Sequence, residues 1–207
     1  MASYGRAMKH FATNLILMVF LAWPVAGQPV SLNALSTYLN DLVTAKGRFT
    51  QINPDGTIST GVIYIHRPGR VRFEYDPPDP ALVLAGGGTV AIFDKKSNQP
   101  PQQFPLKQTP LSVILQRKVD LNVANMITGH VSDGTTTTIT AQDPDHPEIG
   151  HIDLVFTGDP VELRQWVITD EAGSQTTVIL GEMVVGLKLG SSLFSVPLEI
   201  QNSQPDF

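Results

Sequence analysis

Gly61-Val62-Ile63-Tyr64-Ile65-His66-Arg67-Pro68-Gly69-Arg70-Val71-Arg72-Phe73-Glu74-Tyr75 is the stretch on which the reading of this chain turns. Val71, Phe73 and Tyr75 fall on one parity and Arg70, Arg72 and Glu74 on the other, the period-two pattern of a strand with one apolar face. Counting back by twos reaches Gly69 and Arg67, and Ile63 and Ile65 continue the same parity, so Arg67 belongs to the apolar face if the pleat persists through the turn. An unpaired buried charge is very costly, so an arginine there needs hydrogen-bond partners. Backbone carbonyls of a covering element are the expected ones. Arg70 and Arg72, on the other parity, read as solvated.

Upstream, Leu32, Leu35, Leu39 and Leu42 recur at helical spacing, with Ser31 placed as cap, and predict an amphipathic helix from Ser31 to Asp41. Gly47 to Ile52 then reads as a strand and Asn53-Pro54-Asp55-Gly56 as a turn. Downstream, Pro77 to Pro80 breaks the chain, and Ala81–Ala85 with Val90–Phe93 form a hairpin around Gly86-Gly87-Gly88. Ser97 to Pro105 reads as a loop. Thr109-Pro110 with Leu111, Ile114 and Leu115 reads as a capped helix start. Further strands are predicted at Val119–Val123, Thr135–Ala141, His151–Phe156, Arg164–Thr169, Thr176–Val185 and Leu193–Val196. Many strands, two helices and no strand–helix–strand alternation indicate a large antiparallel sheet or barrel.

The first residues carry an address. Arg6, Lys9 and His10 precede an unbroken apolar run from Leu15 to Trp23, followed by the small residues Ala26 and Gly27, which is the build of a cleavable export signal. The run is too short to span the bilayer core as a helix, although an uncleaved anchor is the alternative. Cleavage after Gly27 or Ala26 leaves a single domain from 28 to 207, expected to be soluble and outside the cytoplasm. The chain's formal charge of −5 becomes more negative once Arg6 and Lys9 are removed, which argues against nucleic acid as a partner. With no cysteine, thiol catalysis, disulfides and cysteine acylation are excluded. The sequence carries no nucleophile elbow, phosphate loop or zinc-protease motif, so no catalytic residue, cofactor or metal site is expected. Asp143, Asp145, His146, Glu148 and His151 cluster, but in a proline-broken loop that reads as solvated.

Phe49-Thr50-Gln51, then Gly61, then Arg67 through Tyr75, resembles the LolA family of periplasmic lipoprotein carriers. Pro77, the Gly86–Gly88 turn, Val90 to Asp94, Thr109-Pro110-Leu111 and the final Phe194-x-Val196-Pro197 extend the resemblance over most of the chain from Ser31. It implies a mainly β fold, a half-open antiparallel barrel covered by a helical lid. An apolar cavity lined by Phe49, Ile63, Ile65, Val71, Phe73, Tyr75 and Ile92 would take the acyl chains of a lipoprotein. Leu35, Leu39, Leu111, Ile114 and Leu115 would form the underside of the lid, and Arg67 would lock it. Where the best-known member has aromatic residues this chain has Val71, which implies a less bulky wall. The implied partners are acylated lipoproteins and an inner-membrane releasing transporter, with an outer-membrane acceptor left open and a monomer expected.

Three other readings are weighed against the carrier. A sensor of mislocalised lipid or envelope stress could use the same fold, with a second domain for which these residues leave no room. An anchored outer-membrane acceptor would need a lipidated cysteine, and a secreted hydrolase would need a nucleophile–base pair.

Overall fold

The computed structural model describes residues 28–78, 81–94, 96–97, 99–123 and 125–203; the expected export signal lies outside them. Eleven strands form one sheet, antiparallel throughout. In chain order they are β1 (Thr44–Ile52), β2 (Ile58–His66), β3 (Val71–Tyr75), β4 (Ala81–Gly86), β5 (Thr89–Asp94), β6 (Gln102–Pro105), β7 (Ile127–Ser132), β8 (Thr136–Gln142), β9 (His151–Thr157), β10 (Glu162–Thr169) and β11 (Gln175–Val185). Their order in the sheet runs β6-β5-β4-β3-β2-β1-β11-β10-β9-β8-β7, so the edges are β6 and β7. Among the described residues no helix is long and apolar enough to cross a membrane.

The sheet is strongly curled. Phe73 on β3 and Trp166 on β10 have three strands between them, which on a flat sheet would separate them by about 19 Å. Their ring centroids are 6.2 Å apart. The inner face of this half-barrel carries the larger apolar core, with residues drawn from both halves of the sheet and from two helices, α1 (Leu32–Asp41) and α2 (Ser112–Leu115). The arm 106–123, which contains α2, starts where edge strand β6 ends and leads to edge strand β7, so the chain must cross the open side of the half-barrel to join its two edges.

The outer face of β3–β5 has its own cover. A 3₁₀ turn at Ser191–Phe194 and a third helix, α3 (Val196–Ser203), lay Phe194 and Val196 on Leu82, Leu84, Ala91 and Phe93. The predicted strand at Leu193–Val196 is therefore the start of this strap: its apolar residues face the back of the sheet, not a neighbouring strand. The same cover corrects the solvated reading of Arg72, which is only 9% exposed. Its Nε donates to Glu74 at 2.7 Å, and its Nη1 donates to Glu199 at 2.9 Å and to the Leu193 carbonyl at 3.2 Å. Burial alone would lower its pKa, but the bonds to Glu199 and Glu74 more than offset that and hold it above the ordinary value.

Three more expectations change. Val119–Val123 is not a strand, because its backbone is held by side chains of α1, described below. Residues 102–105 of the expected loop form β6, and β7 had no predicted counterpart; both are edge strands with weak apolar patterning. Thr109 does not cap α2, which has no side-chain cap; it closes the preceding 3₁₀ turn instead, its hydroxyl donating to the Leu106 carbonyl at 2.8 Å. The hairpin between β4 and β5 forms as expected, with Gly87 and Gly88 at φ +61° and +84° in a two-residue turn that L side chains resist.

Gly86 lets the strap approach: a Cβ there would stand 2.0 Å from the Phe194 carbonyl oxygen. Gly86→Ala should therefore lower stability by about 1–3 kcal/mol as the strap is pushed away. The urea midpoint measures it, and an unchanged midpoint would contradict this packing.

Candidate functional site

Two pieces of chain cover the inner face, and they are bonded into one lid. Ser31 caps α1 by accepting from the Ala34 N–H at 3.2 Å, and Leu35 and Leu39 point down into the core. The arm lies alongside. Asn40 of α1 donates to the Val119 carbonyl at 2.8 Å and accepts from the Val119 N–H at 2.9 Å. Ser36 accepts from the Leu121 N–H at 3.0 Å, and Asn122 donates to Asn33 at 2.8 Å. These bonds do for the segment 119–123 what a neighbouring strand would have done, and Val119 and Leu121 bury their side chains beneath.

Arg67 stands where the two lid pieces meet the sheet. Its Nη2 donates to the Gln116 carbonyl at 2.6 Å, and its own N–H donates to the Val43 carbonyl at 2.8 Å, just past the end of α1. Two residues on, the Gly69 N–H donates to the Leu115 carbonyl at 2.8 Å. The β2–β3 turn thus satisfies the carbonyls at the end of α2, which have no partner inside the helix. Arg67 is 6% exposed, no carboxylate among the described residues pairs with it, and its Nε has no hydrogen-bond partner. Burial accordingly lowers its pKa. The parity count placed it on the inner face facing carbonyls of a covering element, and that is its environment here.

Beneath the lid the side chains form a continuous aromatic and aliphatic floor. The Phe49 ring meets Phe73 and Tyr75 edge-on at 5.3 and 5.1 Å, and Tyr38 of α1 meets Phe156 at 5.9 Å. Burial raises the Tyr38 pKa, opposed by a hydrogen bond with the Leu163 backbone. Phe49, Ile63, Ile65, Val71 and Phe73 all lie in this core together with Leu35, Leu39, Leu111, Ile114 and Leu115. Tyr75 is half-buried against it, its hydroxyl donating to Gln51 at 2.7 Å. Ile92, opposite Val83, remains 37% exposed near the β6 edge. The other wall consists of residues not singled out from the sequence: Ile139, Leu154, Phe156, Leu163, Trp166 and Leu180. The alternation Ile152, Leu154, Phe156 was the available signal for them.

This face is closed. Phe73 is 5% exposed, and where α2 faces β8 the crevice lined by Pro110, Val113 and Ala141 measures about 10 Å³, room for about one water. Any long apolar ligand must displace the lid. Among the described residues, no group of His, Asp or Glu is arranged to hold a metal ion, and the 143–151 segment holds only paired contacts such as His146 with Glu148 at 3.2 Å.

Residues 40–197 match the family described as outer membrane lipoprotein carrier protein LolA. An outer-membrane lipoprotein carrier protein from Coxiella burnetii is 32% identical over 123 residues, covering 57% of this chain and 54% of that protein. One from Leptothrix cholodnii is 28% identical over 136 residues, covering 61% and 64%. The chain thus aligns with between about half and two thirds of these relatives' length. A crystal structure of a LolA superfamily protein from Nitrosomonas europaea superposes with a TM-score of 0.41 at 11% identity, covering 81% of this chain and 99% of that one.

Arg67→Ala should leave the sheet folded while the lid opens on the order of ten times more often, the worth of one charged hydrogen bond. Faster amide exchange at 112–121 with unchanged exchange in β9 and β10 is the expected pattern, and unchanged exchange in the arm would remove Arg67 from the lock. Tyr75 supplies a pH test. Burial pushes its pKa up to about 12 from the ordinary 10.0, so the folded form keeps its proton longer than the unfolded chain. That contribution to stability is full below about pH 10 and lost as pH rises towards 12. Urea midpoints in that window should fall less for Tyr75→Phe than for the parent.

Proposed function

Because this chain belongs to the LolA family of outer membrane lipoprotein carriers, we propose that it binds the acyl chains of lipoproteins against its inner face and ferries them through the periplasm. The observation that carries this reading is an apolar, curled sheet face covered by a lid that contributes no strand to the sheet. The lid's polar ties to the β2–β3 turn are the Arg67 guanidinium and a few backbone bonds. All eleven strands pair without it. Lifting it would present the floor around Phe49, Phe73 and Trp166 to a ligand of the same apolar character.

The energetics suit a shuttle. Each acyl methylene left in water costs about 0.8 kcal/mol, so an acylated protein needs a cover to cross an aqueous gap. In the empty protein the lid stands in for the cargo, which binds only by replacing the contacts of Leu35, Leu39, Ile114 and Leu115. A closed resting state reduces apparent affinity by the fraction of open molecules, which leaves the cargo transferable to a tighter acceptor. The reading needs no covalent step. It calls for export by the segment 1–27, loading by an inner-membrane releasing transporter and delivery at the outer membrane.

A synthetic triacylated lipopeptide and its deacylated form test this directly. Native mass spectrometry should show a complex with the acylated peptide alone, accompanied by faster exchange in α1 and the arm. Equal binding of both peptides, or neither, would overturn the reading, and binding without onward transfer to acceptor vesicles would point to a sensor instead.

A further inference from the structure

Buried polar side chains are few among the described residues, and three of them serve the lid: Ser36 within it, Arg67 at the α2 end, and Thr137 at the far side of the sheet. Thr137 lies on the inner face of β8, on the parity of Ile139 and Ala141, and is 2% exposed. A hydroxyl on an apolar face is costly unless it is bonded. Its Oγ1 accepts from the Val30 N–H at 2.9 Å. His130 on β7 holds the other side of the same residue: its Nε2 lies 2.9 Å from the Val30 carbonyl, which can only accept, so Nε2 carries the proton. Val30 packs its side chain on the core and immediately precedes Ser31, the cap of α1.

We propose that Thr137 and His130 form a second latch, closing the lid at the N-terminal end of α1 as Arg67 closes it at the other. The ten residues of α1 make the helix about 15 Å long, with Val30 just before its start and Val43, which accepts from the Arg67 N–H, just after its end. The Arg67 end is tethered covalently, since α1 runs through Leu42 and Val43 into β1. The Val30 end is therefore the end of the helix able to swing furthest, and bonds from the sheet to both polar groups of one backbone unit are what keep it down. Thr137 and His130 act by positioning Val30 and need not touch cargo. The inference deepens the carrier reading, in which the lid must open for loading.

Hydrogen exchange on the empty protein tests it without any lipid. Thr137→Val keeps the shape of the side chain but removes the acceptor, and should speed exchange at residues 30–36 roughly fivefold, while the amides near Arg67 and in β9 and β10 stay unchanged. Thr137→Ser should restore the parent rate, and His130→Ala should speed the same amides. Unchanged exchange at 30–36, an even rise across the sheet, or failure of Thr137→Ser to restore the rate would each overturn the latch. Lipopeptide binding is read separately: a carrier with no second latch binds lipopeptide with exchange unaltered in Thr137→Val, whereas a latch in a protein that is no carrier alters exchange and binds none.

Discussion

An apolar sheet face curled into a half-barrel cannot be left in water, and the rest of this structure follows from how the chain covers it. The two edges never meet, so the face cannot be sealed by closing the sheet. It is sealed by α1 and by the arm that joins edge to edge, with Leu35, Leu39, Ile114 and Leu115 set against Ile63, Phe73, Leu154 and Trp166. Hydrophobic contact of this kind is non-directional. The directional polar bonds therefore set how the lid sits on that floor.

Arg67 and Arg72 show how differently one residue type can be used five positions apart. Arg72 faces outward beneath the strap, paired with Glu74 and Glu199, and removing either partner would leave a charge poorly compensated. Arg67 faces inward, and among the described residues its guanidinium has the Gln116 carbonyl but no carboxylate. Its burial costs part of what that hydrogen bond returns. The outer joint thus pairs charge with charge, and the inner one pairs a charge with a backbone carbonyl.

β3 feels both covers. Val71 and Phe73 lie under the lid and Arg72 under the strap, so three successive residues are buried on a strand that alternates between faces. Next to it, His66 sits at 5.7 Å edge-on to Phe194, with Nδ1 buried and unpartnered; burial, and then the nearby Arg70, lower its pKa.

What the sequence determined by itself was whatever depends on near neighbours. The alternation through Val71, Phe73 and Tyr75 reports which face of a strand is apolar, Ser31 with its leucines reports a helix, and the run to Arg67 reports its inward parity, because pleat and helix pitch are local geometry. The tertiary structure alone decided the fate of segments whose partners are distant. Val119–Val123 has strand-like residues, but Asn40 and Ser36, roughly eighty positions earlier, claim its backbone. Leu193–Val196 alternates like a strand, yet the surface it meets is the back of β4 and β5. Arg72 is polar on a polar parity, and it is the arrival of the strap, with Leu193 and Glu199, that buries it. Thr137 and His130 carry no pattern of their own; their meaning depends on Val30, which folding alone brings across the sheet.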